Sequence, residues 1–538
     1  MRNHLLLVWL IGSSLFVGCQ SKAPDQEEKL SVEVVREIIS VQTDPFGEIL
    51  SEYESFDLLI QGGLIIDGSG QKGFLGDILI VKDRIVYVGP TDERKIQVNK
   101  RIDAAGKIVS PGFIDAHAHG DPVRQPAFRN FLSMGVTTIV LGQDGRSTPR
   151  RDLAPWMREV EYKRPGPNIA TFVGHGTLRE MSGVGFKRDP GNGLEKMKQQ
   201  LANGLEAGAW GMTTGLEYTP GMYAGEEELQ ALAKVVGEHG GMIMSHIRNE
   251  DDDQLIASLD ELLRQGTHCP VHVSHMKSVY GKGPERAEQI LIRLAEARQT
   301  GIQVTADIYP YAASFTGIGI VFPSWARPPH NYSEVRRLKQ AQLENYLRER
   351  VIKRNGPEST LFGTAPYAGK TLAQVAQEKG KPFEKVLMED IGPRGASAAY
   401  FVMDEVLQQH LLRDSSVMVG SDGSPSMRHP RGYGSFAKII ETYVRQEGLF
   451  TLEEAIWKMT SLPARTIGFE NRGRIAPDYF ADLLIFQTEE IRATASFPNP
   501  HRLAEGFDYI IVNGNIAKEG AKWSSFRSGK MLKKPVRL

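Results

Sequence analysis

The densest concentration of reactive side chains in the sequence is Pro111-Gly112-Phe113-Ile114-Asp115-Ala116-His117-Ala118-His119. Residues two apart in an extended segment face the same side, so the imidazoles of His117 and His119 converge on one cation. Exposed loop histidines are the competing reading, and the pattern elsewhere counts against it. Apolar runs also end at His246, His275 and Asp422. Four imidazoles and a carboxylate suit a borderline divalent ion such as Zn²⁺ and leave a position for water in its shell. Such a water is acidified toward neutrality and becomes a nucleophile. Asp422 then has two open roles, as the general base that carries a proton from that water to a leaving amine, or as a metal ligand; one carboxylate can hold both.

These groups come together only if several chain segments bring them to one rim. Eight apolar runs alternate with helix-period stretches: Ile108 to Asp115, Thr137 to Leu141, Asn168 to Val173, Ala209 to Thr213, Gly241 to Ser245, Val271 to Val273, Ile302 to Asp307 and Ser416 to Gly420. That rhythm predicts a parallel sheet, and eight strands close a (β/α)8 barrel whose catalytic groups collect at the C-terminal ends of the strands. Leu229, Leu232, Val235 and Val236 mark one face of an outer helix, and Ile290, Leu291, Leu294 and Ala297 that of another. Short β-type runs before and after the barrel, at 56–110 and 469–525, predict a small β-sandwich built from both ends of the chain. The barrel itself is expected over 111–468, with an insertion at about 329–415.

At 538 residues, with 41% hydrophobic and 24% charged residues, the chain has ample material for such a core. Lys plus Arg number 64 against 65 Asp plus Glu, so no bulk charge draws it to nucleic acid. The two cysteines, Cys19 and Cys269, do not predict a disulfide. Cys19 closes an N-terminal segment with Arg2 at its start and an apolar run through Gly18, too short for the roughly 20 residues of a spanning helix. Phe16-Val17-Gly18-Cys19 resembles a bacterial lipobox, apart from Phe16 in place of the usual Leu. The expectation is a signal peptide over 1–19 with lipidation at Cys19, a tether and spacer over 20–55, and a membrane-anchored protein in the cell envelope. Gln20 favours the outer membrane over the inner.

The order His117-x-His119, His246, His275, Asp422 resembles the amidohydrolase superfamily. Gly174-His175-Gly176-Thr177-Leu178-Arg179, Gly215-Leu216-Glu217-Tyr218-Thr219-Pro220-Gly221, Ser274-His275-Met276-Lys277 and Gly420-Ser421-Asp422-Gly423 narrow this to the D-aminoacylase, or N-acyl-D-amino-acid deacylase, family. The resemblance runs from about Phe56 to about Lys522. It implies one metal site at His117 and His119, a second at His246 and His275, and Asp422 as base. It also implies that Tyr218, Lys277 and Arg431 grip the carboxylate of a small N-acylated D-amino acid. An Arg fork, an ammonium and a phenol suit that task chemically, against the alternatives of surface charges and a packed rim aromatic.

Where the family commonly has a Cys metal ligand, in Gly-Asn-Cys-Gly, this chain reads Gly142-Gln143-Asp144-Gly145. Asp144 as a ligand makes the site harder, which opens the choice between one and two zinc ions and admits another divalent metal. Otherwise it is a turn residue. His175 reads as a structural hydrogen-bonding residue, and Glu217, if it faces the pocket, disfavours acidic substrates. The alternatives are a cyclic-amide hydrolase of hydantoinase or dihydroorotase type, a deaminase, or a lipid-anchored binding protein without catalysis. Many enzymes of the first kind carry a carboxylated Lys at the fourth strand end, where this chain has Thr213 to Tyr218 and no Lys.

Overall fold

The computed structural model describes residues 45–535, so the expected signal peptide, Cys19 and residues 20–44 of the tether and spacer lie outside the described residues. Pro45–Glu52 forms a short helix.

Five strands follow: β1 (Phe56–Ile65), β2 (Phe74–Val81), β3 (Arg84–Gly89), β4 (Val98–Asp103) and β5 (Ile108–Pro111). β1 runs through Gln61-Gly62-Gly63 on a bulge, with the register against β2 shifting between Ile60 and Gly63. Gly62 supplies the positive φ, +69°, and its N–H is taken up by Asp77 Oδ1 at 2.8 Å.

The first expected barrel strand, Ile108 to Asp115, is two strands. β5 pairs with β1, whereas β6 (Phe113–Asp115) pairs with β7 (Val136–Leu141). The handover falls at Gly112, where a Cβ would lie 2.1 Å from Thr137 Oγ1. Only glycine lets the backbone pass that close.

The barrel continues with β8 (Asn168–Thr171) and β9 (Val173–Gly174), β10 (Gly211–Gly215), β11 (Met242–His246), β12 (Val271–Val273) and β13 (Val304–Ile308). Three short strands of an insertion come next, β14 (Ser314–Gly317), β15 (Thr360–Phe362) and β16 (Ser397–Tyr400), before β17 (Val417–Val419). All neighbouring barrel strands are parallel; β8 pairs with β7 and its continuation β9 with β10. The loops beyond β6 and β17 close the ring, with Asp422 N–H donating to His117 O at 2.8 Å and His119 N–H to Gly423 O at 2.7 Å. Closure thus falls on the residues that carry the chemistry.

The outer helices bury the faces read from their spacing: Leu229, Leu232, Val235 and Val236 on Glu226–Glu238, and Ile290, Leu291, Leu294 and Ala297 on Gly283–Gln299. Each larger side chain contributes about 1.5–3 kcal/mol by leaving water. The insertion starts earlier than expected, because β14 already pairs with β16. It has its own apolar core, which includes Phe322, Leu343, Leu347 and Phe362. β18 (Leu483–Phe486), β19 (Phe507–Val512), β20 (Asn515–Glu519) and β21 (Lys522–Trp523) return to the N-terminal strands, β18 pairing with β5. Leu58, Ile78, Val109, Leu483 and Ile511 share one core, so both chain ends build the β-sandwich.

Candidate active site

His117 and His119 follow β6, Asp144 follows β7, His246 ends β11, His275 follows β12 and Asp422 follows β17. Their donor atoms form two groups that share Asp144: His117, His119, Asp144 and Asp422 in one, Asp144, His246 and His275 in the other, each within 4.8 Å. Asp144 Oδ1 lies 3.4 Å from His117 Nε2 and 3.3 Å from His275 Nε2, and Oδ2 lies 3.5 Å from His119 Nε2. The carboxylate therefore stands between both histidine pairs. Asp144, His275 and Asp422 all have left-handed backbones, with φ of +54°, +36° and +46°. Strain held at three donor positions aims these side chains inward rather than along the strand direction.

These residues fit a metal ion. Both ring nitrogens of His117 are buried without a hydrogen-bond partner among the described residues, an expensive state for a polar group unless a cation takes a lone pair. His246 Nδ1 and His275 Nε2 face each other at 2.8 Å. The donor set of imidazole nitrogens and carboxylate oxygens suits zinc and similar divalent ions. Burial works against charge on His117, yet Asp144 and Asp307 raise its pKa well above the usual value. Burial likewise opposes ionisation of Asp144, but His117 and His275 hold its pKa well below the carboxylate range.

A second tier of groups orients the first. Asp307 is fully buried: its Oδ1 accepts from His275 N–H at 3.0 Å, and its Oδ2 lies 2.8 Å from His272 Nε2 and 3.7 Å from His117 Nδ1. Glu250 Oε1 lies 3.2 Å from His275 Nδ1, and Glu217 Oε2 lies 3.1 Å from His246 Nε2. Glu217 is thus turned onto a histidine. The one available signal for His272 was its position between Val271 and Val273 in an apolar run. Buried polar residues in such runs need a partner. His175 lies 2.7 Å from Glu228 Oε1 and belongs to neither donor group.

Tyr218, Asp422 and Arg431 line a cavity of about 840 Å³ that also reaches His119 and Asp144. Tyr218 accepts a hydrogen bond from Thr316 Oγ1 at 3.3 Å. Arg431 Nη2 lies 2.8 Å from Asp422 Oδ2, and its Nε has no partner. Lys277 is buried and donates to Glu250 Oε1 at 2.6 Å, so it lines a smaller inner cavity rather than the large one.

The fold and this centre define a metal-dependent amidohydrolase. The model of the amidohydrolase family matches residues 401–517. N-acyl-D-glutamate deacylase of Alcaligenes xylosoxydans xylosoxydans is 33% identical over 517 residues, covering 90% of this chain and 98% of that protein. D-aminoacylase of the same organism is 32% identical, again over 90% and 98%. The crystal structure of N-acyl-D-glutamate deacylase from Bordetella bronchiseptica, complexed with zinc and a phosphonate mimic of the tetrahedral intermediate, has a TM-score of 0.77 at 32% identity and covers 89% of this chain and all, 100%, of that one. A D-aminoacylase structure described as having a binuclear metal centre also reaches 0.77, at 30% identity, covering 89% and 100% of the two chains. The chain belongs to the D-aminoacylase family of amidohydrolases. L-hydantoinase from Arthrobacter aurescens, at 16% identity and a TM-score of 0.55, shares the fold.

Proposed function

We propose that this protein hydrolyses the amide bond of N-acyl-D-amino acids, releasing a carboxylate and a free D-amino acid. The observation that carries the reading is the placement of Asp422, 3.1 Å from His119 Nε2 on one oxygen and 2.8 Å from Arg431 on the other, at the floor of the large cavity. Family membership supports the D-configuration. His117, His119, Asp144, His246 and His275, with Asp422, would hold zinc, as one ion or two. When bound, such an ion supplies Lewis acidity toward the acyl carbonyl and lowers the pKa of water.

The remaining work belongs to side chains of this chain. Asp422 Oδ1 accepts the proton of the attacking water and delivers it to the leaving nitrogen, so the amine departs neutral. Arg431 grips the substrate carboxylate from the cavity wall, and the Tyr218 hydroxyl adds a directed donor. Lys277 adds positive charge from beneath, held in place by Glu250. The lipobox-like Phe16 to Cys19 adds a location: we place the enzyme on a lipid anchor at Cys19, at the periplasmic side of the envelope and on the outer membrane. Loss of palmitate labelling in Cys19→Ala tests that part.

The deciding experiment uses a form lacking residues 1–19. Its metal content is measured, and amine release is followed from N-acetyl-D- and N-acetyl-L-amino acids. D-selective release with one or two zinc equivalents is expected. Metal without release of any amine overturns the reading.

A further inference from the structure

The large cavity carries more positive charge than the reaction needs. Among the described residues five arginines line it, Arg146, Arg327, Arg394, Arg428 and Arg431, against the two carboxylates Asp144 and Asp422 of the metal centre. Arg431 is engaged by Asp422, and Arg146 by Glu180 at 2.7 Å. Among the described residues, no carboxylate stands within ion-pair distance of Arg327, Arg394 or Arg428.

Arg327 is the most constrained of these three. It is half-buried, and its Nε is shut off from water without a hydrogen-bond partner. A guanidinium left in that state gives up hydration for nothing unless an anion completes it. Glu217 acts on it only from beyond ion-pair distance. Glu217 itself lies against His246 and lines the inner cavity, so it does not neutralise the outer wall. Arg327 and Arg394 come from the insertion and Arg428 from the loop after β17, and serines and threonines such as Ser426 and Thr364 line the same cavity. That is a wall for an oxyanion: guanidinium forks, with hydroxyls to fill the remaining lone pairs.

We infer that the substrate carries a second carboxylate, beyond the one held by Arg431, and that Arg327, with Arg394 and Arg428, receives it. The inference rests on the deacylase reading and narrows it to N-acyl-D-amino acids that are dicarboxylates. The second carboxylate sits either on the amino-acid side chain or on the acyl group.

Both sources are tested by kcat/KM on neutral and charged partners of nearly the same shape. N-acetyl-D-glutamate is compared with N-acetyl-D-glutamine, and N-succinyl-D-leucine with N-succinamoyl-D-leucine. At least one charged substrate is expected to exceed its neutral partner by about tenfold or more, the scale of a charge-assisted hydrogen bond. Arg327→Gln should bring that ratio toward one, chiefly by raising KM for the charged substrate. Arg428→Gln, at a separate point of the wall, should lower it less. If both neutral partners are hydrolysed as well as the charged ones, the dicarboxylate inference falls and the deacylase reading stands. An unchanged ratio in both variants also overturns it. If no N-acyl-D-amino acid of any kind is hydrolysed, the deacylase reading itself falls.

Discussion

Arg431 and Asp422 form a buried pair in which the guanidinium lies 2.8 Å from one carboxylate oxygen, leaving the other to face His119 at 3.1 Å. Burial pushes the Asp422 carboxyl up; Arg431 and His119 outweigh it and hold the carboxyl below the usual range. The base is therefore ionised at neutral pH, and Arg431 fixes which oxygen points at the centre. Asp422→Asn keeps the shape and removes the proton acceptor. Its kcat should fall by about 10²- to 10⁴-fold, the usual contribution of a positioned base. Circular dichroism and metal content, the latter set by the remaining donors, should stay near those of the parent. Loss of the metal together with activity would make Asp422 a ligand before it is a base.

Asp144 touches imidazoles from both histidine pairs, at 3.4 Å from His117 and 3.3 Å from His275. An Asp144→Asn change leaves one neutral oxygen where a charged carboxylate stood, so two-metal binding should be lost first. Asp144→Cys restores the family's thiolate, a softer ligand. That variant should hold a single zinc more tightly than the parent, by about tenfold or more in a chelator competition. Equal stoichiometry and affinity in the parent and both variants would remove Asp144 from the centre.

How far the sequence discloses this site depends on the range of each contact. His117, His119, His246, His275 and Asp422 are legible because each stands where an apolar run ends, and barrel geometry brings such ends together. Asp144 is visible only as a departure from a family motif. The roles of Glu217, Glu250 and His272 are not legible: they arise from side chains that meet across strands, and no local periodicity encodes that. Lys277 is found by its motif, but its pairing with Glu250 is not, since the partner comes from another loop. The break of the first barrel strand at Gly112 is hidden for a related reason. Ile108 to Asp115 reads as one continuous strand because both halves are buried, one in the sandwich and one in the barrel.

Asp307 links His272, 2.8 Å away, to His117 and the His275 backbone. It is fully buried, so its effect on turnover runs through the orientation of the histidines. Asp307→Asn should cost about 10- to 100-fold in metal affinity, as removal of a carboxylate behind a ligating imidazole generally does. The measurement is zinc affinity by competition, which a purely structural role in the strand would not move once folding is shown to be intact.

Cys269 precedes β12 and is 6% exposed. Burial pushes its thiol up to about 12. The thiolate is the reactive species, so at pH 8 its population is lower by roughly three orders of magnitude than for an ordinary thiol of pKa about 8.5. In the form lacking residues 1–19, Cys269 is the one cysteine left. Ellman's reagent should find no thiol in the native protein at pH 8 and one after denaturation. Rapid native labelling would show that the strand-start loop opens.

The sandwich and barrel are joined by a buried polar knot around Asp482. Its Oδ1 accepts from Asn513 N–H at 2.7 Å and its Oδ2 from Asn168 Nδ2 at 3.0 Å, and Arg472 donates to the same carboxylate. Asn168 belongs to β8 of the barrel, while Asp482 and Asn513 adjoin sandwich strands β18 and β19. Asp482→Ala leaves the buried Arg472 guanidinium unpaired and should destabilise the protein by about 3–5 kcal/mol. Replacing both partners, Asp482→Leu with Arg472→Met, removes the stranded charge and should recover part of that loss, because the cost lies in the uncompensated ion. Denaturant unfolding of the two variants separates the cases: a double variant as unstable as the single one would mean that the knot acts through the Asn168 and Asn513 hydrogen bonds instead of through the ion pair.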